Sequence, residues 1–495
     1  MTKDFLKDMV KYLPAQIAPA IVGLISIPVI TRLFPPADYG NYSLVMATVL
    51  VLTTLLSWLP MSIIRFYPVY ERDKKLGIFY GNIFSLSIIS IIAISLASLV
   101  LLVSAGTHLS SRLYLLMYLG IGVFVATGLF EVLQNFLRVE RKVNWYSGFA
   151  VWRSIGALGI ALLMIFLLKR GVESLLWGAI ICIAIVLPIL WKKAVKGAPA
   201  LRFQIDSSLT KEMAKYSFPL VAGNIAFWIL TLSDRYILEF FRGSQEVGIY
   251  SAGYNISARS LMLLVTLFAL ASGPISIHIW EKKGETRSKQ FISNVTRYYL
   301  IACVPAVIGL SVLSRPIMKI LTGAQYFEGY KIIPFLAAGA LFSGLQQVFH
   351  AGFLFHKKTS CITFGIVAAG ALNLLLNILF IPKYGYFAAA VSSLFSHTFL
   401  LVLMVALSRR LFIWKFPFVS LAKVSCASAA MGIVVYFLHD TLTSSTIINV
   451  IISVFIGGLT YLAFLVVFRE FRPEEKKAIK QIIKRCMPCR PVPEG

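Results

Sequence analysis

Charge is scarce in this 495-residue chain: 14% of its residues are Asp, Glu, Lys or Arg, and only 21 are acidic against 47 basic. Soluble domains carry about 25% charged residues, so a mean hydropathy of +0.81 with 58% hydrophobic residues excludes that class. No GxxxxGK[ST] phosphate loop occurs, which excludes ATP hydrolysis by that route. The six cysteines give no disulfide framework, since Cys182, Cys303, Cys361 and Cys426 fall inside apolar runs. The tail's Cys486-Met-Pro-Cys489 supplies two thiolates where zinc prefers four ligands, so it is read as unmodified or palmitoylated, with no metal and no cofactor expected. Extramembrane carboxylates are also lacking: the longest outer segment, 314–331, holds only Glu328, which argues against a membrane glycosyltransferase or ligase.

What is present is apolar length. A bilayer crossing takes about 20 mainly apolar residues, and fourteen such stretches predict an all-α integral membrane protein. They fall near 10–31, 41–66, 79–104, 113–137, 145–168, 173–191, 213–240, 248–279, 291–313, 332–355, 360–381, 385–407, 417–438 and 446–468. The first lacks a small-residue cleavage pattern before Arg32 and reads as an uncleaved helix. With the N-terminus inside, 31 of the 47 basic residues fall on inner segments and 9 on outer loops. That bias follows the positive-inside rule, so the net charge of +26 needs no nucleic acid partner and both termini are expected in the cytoplasm. In the tail, Ile479, Ile482 and Ile483 share one face while Lys476, Lys477, Lys480, Lys484 and Arg485 cover the others, which reads as a basic amphipathic helix on the inner leaflet. An ordinary solvated tail is the competing reading.

The chain repeats itself. Met9-Val-Lys-Tyr12 opens the first stretch and Met213-Ala-Lys-Tyr216 the seventh; Tyr39-Gly40-Asn41-Tyr42-Ser43 is echoed by Val247-Gly248-Ile249-Tyr250-Ser251; LFEVLQN at 129–135 is echoed by LFSGLQQ at 341–347. The offset drifts from 204 through 208 to 212. Six helices separate the copies, so both run the same way through the membrane, a parallel repeat about an axis along its normal. Two six-helix lobes are predicted, 1–200 and 201–410, followed by a helix pair at 411–468 and a basic cytoplasmic tail at 469–495.

Polar residues inside these stretches are costly in lipid and must turn toward protein or a water-filled cavity. Glu131, Gln134, Asn135 and Arg138 lie on one helix face, as do Ser343, Gln346, Gln347 and His350; Ser251, Asn255 and Arg259 recur at steps of four. Asp234 and Arg235 interrupt ILTLSDRYIL. Candidate cavity residues are therefore Arg259, Arg153, Arg235, Asp234, Asn255, Arg65, Glu131, Gln134, Gln346 and Gln347, with Asp234 and Glu131 as candidates for carrying a coupling ion. The plainer readings are that Gln and Asn bond neighbouring helices, that Asp234 neutralises Arg235 or Arg259, and that Arg138, Lys215, Arg297 and Lys423 snorkel to the inner face. The interior holds more guanidinium than carboxylate, and a planar, permanently charged donor array suits a phosphate-bearing cargo.

TRLFPPADYGNYSL, SDRYILEFF with GIYSAGYNIS, and NLLLNILFIPKYGYFAAAVSS resemble Wzx-type polysaccharide flippases, the polysaccharide transporter branch of the superfamily that includes the MATE multidrug extruders and lipid II flippases. The resemblance implies a V-shaped, MATE-like transporter, not an enzyme. Its implied task is to carry undecaprenyl-pyrophosphate-linked oligosaccharide from the inner to the outer leaflet of a bacterial inner membrane by alternating access. It further implies surface polysaccharide biosynthesis such as O-antigen of lipopolysaccharide, with membrane lipids and the polymerase machinery as partners. The family's Asp-Arg falls on Asp234 and Arg235, and its Asn and Pro-Tyr-Gly positions on Asn373, Asn377 and Pro382 to Gly385, with Lys383 interrupting. A lipid II flippase or a cation-coupled multidrug exporter is the alternative; the latter should favour acidic cavity residues. A major facilitator is disfavoured because PVYERDKKLGIF lacks that family's loop pattern, and a non-transporting scaffold is the reading from another class.

Overall fold

The computed structural model describes residues 2–106, 109–195, 204–439, 445–473 and 475, with side chains described from residue 11 onward. The proposed tail helix, Cys486 and Cys489 lie outside the described residues. The elements are α1 Thr2–Leu33, α2 Pro36–Leu56, α3 Trp58–Arg72, α4 Leu76–Ala105, α5 Ser111–Val139, α6 Val143–Leu168 and α7 Glu173–Val195, then α8 Ser207–Arg242, α9 Ser244–Val312 and α10 Ser314–Leu321. A 3-10 segment, Ala324–Ile332, leads into α11 Ile333–Phe355, α12 Ser360–Ser408, α13 Phe418–Leu438 and α14 Thr446–Val467. The described residues form no strand, as expected where a lipid-embedded backbone must satisfy its own hydrogen bonds.

Twelve helical spans are long and apolar enough to cross a membrane, and two of them are too long for one crossing. At 1.5 Å per residue α9 would run about 100 Å and α12 about 70 Å, against a hydrocarbon core of about 30 Å. Each contains one glycine with non-helical, positive φ: Gly284 at 74° and Gly385 at 58°. Splitting there recovers fourteen membrane segments. The expected inner loop at 281–290 is thus a tight bend with helix on both sides. Gly385 is required for a second reason: a Cβ there would overlap the Glu246 carboxylate, whose Oε2 accepts the Tyr386 N–H at 2.9 Å. Elsewhere the left-handed position falls on Lys74, Arg141, Lys169, Lys357 and Arg469, each at or just past a helix C-terminus. A cation there complements the negative end of the helix dipole, which offsets part of the strain a glycine would avoid.

With α1–α7 taken as the N-terminal lobe and α8–α12 as the C-terminal lobe, the two meet chiefly where α2 packs on α9 and α3 on α8, and α13 and α14 pack on the second half of α9. Val424, Ala427, Met431, Tyr461 and Leu465 share a core with Tyr299, Leu300 and Cys303, and the Tyr461 hydroxyl donates to the Ile301 carbonyl at 2.8 Å. Ser43 and Ser251, 208 residues apart at matching places in the sequence motifs, meet hydroxyl to hydroxyl at 2.7 Å. α8 touches both lobes. Its inner turns bond the N-terminal lobe through Ser62 to Ser217 at 2.9 Å, while the Asn82 carbonyl accepts from the Asp206 N–H at 2.9 Å and the Thr210 hydroxyl at 3.2 Å. Its outer turns pack on α12, where Gly370 lies against Ala226 and Leu230. Pro219, which cannot donate to the helix ladder, sits between the two contacts.

Candidate functional site

Asp234 and Arg235 stand on the C-terminal half of α8 and are enclosed, their side chains 2% and 5% exposed. Asp234 accepts from its neighbour's backbone N–H at 2.8 Å, from Arg235 Nη1 at 3.3 Å and from the Tyr250 hydroxyl. Arg235 Nη1 also donates to the Thr231 carbonyl at 3.3 Å, and its guanidinium lies over the rings of Tyr254 at 4.6 Å and Tyr250 at 5.5 Å. A charged pair in an apolar helix is tolerable here because each charge is opposed, Arg235 Nη1 has two acceptors and the guanidinium lies over two ring faces. Asp234 is paired with Arg235 rather than with Arg259.

Arg259 is exposed. It lies about 20 Å along α9 from the helix's outer end. Its Nη1 lies across α1 at Gly23, 3.6 Å from where a Cβ would stand, so the missing side chain makes room for the guanidinium. Among the described residues no carboxylate pairs with Arg259, and the hydroxyls of Tyr39, Tyr42 and Tyr254 lie within its electrostatic reach. Asn255, one turn away, is bonded across the lobes: its Nδ2 donates to the Tyr39 hydroxyl at 2.8 Å. Arg65 on α3 is exposed, with its guanidinium 6.0 Å from the Phe66 ring and no carboxylate partner among the described residues.

In the N-terminal lobe Arg153 faces Glu131 at 3.8 Å, both about two-fifths exposed, and lies over Phe130 at 5.1 Å. Gln134 is buried and donates to the Tyr146 carbonyl at 3.3 Å, a helix-to-helix bond. Gln346 is buried with its Oε1 unpartnered, and Gln347 is half-buried. The structure therefore gathers Asp234, Arg235, Asn255 and Arg259 around Tyr39, Tyr250 and Tyr254, keeps Arg153 with Glu131, and joins neither group to Arg65 by any ion pair or hydrogen bond among the described residues. The tyrosines were not picked out from the sequence, although Tyr39, Tyr42 and Tyr250 sit inside the repeated motif itself.

Arg297 corrects an expectation. It does not snorkel: its side chain is 2% exposed, and it bonds Glu470 Oε1 at 2.6 Å, the Glu470 carbonyl, and Glu475 Oε1 at 2.5 Å. Its partners arrive from the chain beyond α14, 173 and 178 residues later, a juxtaposition that helical spacing cannot reveal. Burial alone would push the Glu475 carboxyl up, but hydrogen bonds from Arg297, Tyr298 and the Arg472 backbone N–H hold it down at about 2. Lys423 is one-third exposed and lies 3.8 Å from Glu470, whereas Arg138 and Lys215 are exposed near the inner face.

Comparison with known proteins agrees with this architecture. A family model described as "Polysaccharide biosynthesis protein" matches residues 5–280. The chain is 23% identical to an uncharacterized membrane protein, MJ1068, of Methanocaldococcus jannaschii, covering 86% of this chain and 87% of that one. It is 23% identical to the "probable low-salt glycan biosynthesis flippase Agl15" of Haloferax volcanii, over 70% and 69% of the two chains. Among solved structures, lipid II flippase MurJ in an inward closed conformation superimposes with a TM-score of 0.75 at 19% identity, covering 93% of this chain and 99% of that chain. The chain is a multi-pass membrane protein whose fold is shared with the lipid II flippase and MATE transporter structures, and it belongs to the polysaccharide biosynthesis protein family.

Proposed function

We propose that this chain flips a lipid-linked oligosaccharide, carried on undecaprenyl pyrophosphate in a bacterial inner membrane, from the cytoplasmic to the outer leaflet by alternating access. The observation that carries the reading is an imbalance of charge. Asp234 and Glu131 each already face an arginine, while Arg259 and Arg65 are exposed with no carboxylate partner among the described residues. A surplus of guanidinium in a low-dielectric interior favours an anionic group such as a diphosphate, and it disfavours the cationic drugs of a multidrug exporter. The name of the Haloferax relative, a glycan biosynthesis flippase, supports the same cargo class. In this reading the moving units are residues 1–200 and 201–410, with 411–468 carried on the second, and both termini are cytoplasmic. The product feeds surface polysaccharide such as O-antigen, with the polymerase as downstream partner.

Deleting the gene in its own host tests the proposal. Lipid-linked repeat units are expected to accumulate facing the cytoplasm while surface glycan falls. Normal surface glycan in a strain without a second flippase would overturn it.

A further inference from the structure

Gly40 and Gly248 occupy corresponding places in the repeat, near the outer ends of α2 and α9, and in the structure each faces the other's helix. A Cβ on Gly40 would overlap the Ser244 carbonyl oxygen and stand 2.9 Å from the Gly248 nitrogen. A Cβ on Gly248 would overlap the Pro36 carbonyl oxygen and stand 3.0 Å from the Pro36 Cα. The contact is reciprocal, because Pro36 and Ser244 are related by the same 208-residue offset as the glycines and as Ser43 and Ser251. It has the form of an isologous interface within one chain, built on small residues that let two membrane helices touch backbone to backbone.

A second, unsymmetrical layer covers it. The C-terminal lobe's segment from Ser314 to Ile332 bonds the N-terminal lobe's outer turn at three points. Arg32 Nη2 donates to the Ile320 carbonyl at 2.6 Å, the Gly323 N–H to Thr31 Oγ1 at 3.3 Å, and the Tyr326 hydroxyl to the Phe34 carbonyl at 2.9 Å. The loop at the corresponding place in the N-terminal lobe, between α4 and α5, spans only 106–110. At the crossing itself Ser244 Oγ donates to Asn41 Oδ1 at 2.6 Å, and farther along α9 Asn255 reaches Tyr39.

We propose that Gly40 and Gly248 form the seat of the outer gate, and that the strap from Ser314 to Ile332 latches it. The inference rests on the transporter reading, in which the lobes must part on the outer side to release cargo. Every contact named joins one lobe to the other. Side chains pack around the crossing as well: Tyr39 meets Tyr326 edge to face at 5.9 Å, and Leu44 and Val45 share a buried cluster with Val247 and Tyr250. That packing needs the backbone approach the glycines allow, and a single methyl group at either glycine blocks that approach. Gly40 and Gly248 are positioning residues: they touch no cargo, and they decide whether the outer side can shut.

The test uses the full-length protein in a cysteine-free background carrying Ser251→Cys, labelled from outside by a membrane-impermeant maleimide. Labelling is expected to be slow in the parent and severalfold faster with Gly40→Ala or Gly248→Ala, with glycan export reduced at unchanged abundance. Unchanged labelling in a well-inserted Gly40→Ala protein overturns the proposal. Should the alanine variants fail to insert, Ser43→Cys with Ser251→Cys decides the matter. Oxidation is expected to join the pair and stop export, and reduction to restore it; a pair that does not join, or joins without stopping export, overturns the gate. Labelling and joining need no cargo, so a gate that responds in protein that exports no glycan refutes the cargo assignment and leaves the gate standing.

Discussion

Asp234→Asn removes one charge from an enclosed pair and leaves its shape almost unchanged. Breaking a buried ion pair by removing one partner costs about 3–5 kcal/mol, because the other charge stays buried without compensation. Here Arg235 keeps the Thr231 carbonyl and two tyrosine faces at 4.6 and 5.5 Å. Such faces are worth about 0.5–2 kcal/mol each, which puts the expected loss at the lower end, about 3 kcal/mol. For a lobe of about 200 residues that corresponds to a fall in Tm of roughly 6–12 °C, read by thermal unfolding of purified protein in detergent. Adding Arg235→Gln removes the stranded charge while keeping hydrogen-bonding groups in place, so the double variant is expected to recover most of the loss. A fall below about 2 °C for the single variant, or a double variant no more stable than the single, would refute the view that the pair is a structural unit. A single variant that keeps its stability and its abundance but loses export would instead assign Asp234 to ion coupling.

Four further outcomes follow from named contacts. Arg259→Ala is expected to abolish export at normal abundance, and Arg259→Lys to impair it less, because lysine keeps the charge and loses the planar donor fork; full activity of Arg259→Ala, measured beside abundance, removes this residue from the site. Gly23→Ala should be tolerated, since a Cβ there meets the Arg259 guanidinium at an ordinary 3.6 Å, whereas Gly23→Leu should displace that group and mimic Arg259→Ala in the export assay. Pro219→Ala restores a helix donor between the two lobe contacts of α8 and should raise thermal stability while slowing export; a faster exporter contradicts that role. The Glu475 carboxylate is held below its ordinary 4.5, so its contribution to docking the chain after α14 is fully present above about 4.5 and lost as pH falls toward about 2. Limited proteolysis after Glu470 should stay slow from pH 7 to 5 and accelerate below that, and Glu475→Gln should be fast throughout.

The membrane class and the number of crossings were legible because a bilayer imposes a length and an apolarity on every crossing, and both are written in linear sequence. The repeat is a reading of shared residues, and two of them, Ser43 and Ser251 at matching places, stand in contact. Partnerships across long separations were not legible. Asp234 and Arg235 stand out as charges in ILTLSDRYIL, but the Tyr250 hydroxyl that completes their shell comes from the next helix, and nothing in spacing selects it. Arg297 was misread for the same reason, since its depth near the inner face is compatible with snorkelling until Glu470 and Glu475 are brought beside it. Asn255 stands out as polar on its helix face, but its bond to Tyr39 of α2, 216 residues away, is not readable from spacing.

The two copies of the LFxxLQ element show where a repeated sequence stops being a repeated function. In the N-terminal copy the stripe is internally satisfied: Glu131 faces Arg153, Gln134 bonds the Tyr146 carbonyl, and Asn135 Nδ2 bonds the Glu131 carbonyl at 2.9 Å. In the C-terminal copy Ser343 Oγ, Gln346 Oε1 and His350 Nε2 are buried without a protein partner. A buried polar atom left unpaired costs about 1–3 kcal/mol, so these three atoms are places where a water or a polar group of the cargo is the expected partner. The gate shows the same divergence, with a symmetrical glycine crossing overlaid by a strap that only the C-terminal lobe carries. A parallel repeat exchanges the two lobes about an axis along the membrane normal and leaves the two membrane faces distinct from the start. These departures therefore give the two lobes different work at the same depth, and both of those seen here lie in the C-terminal lobe.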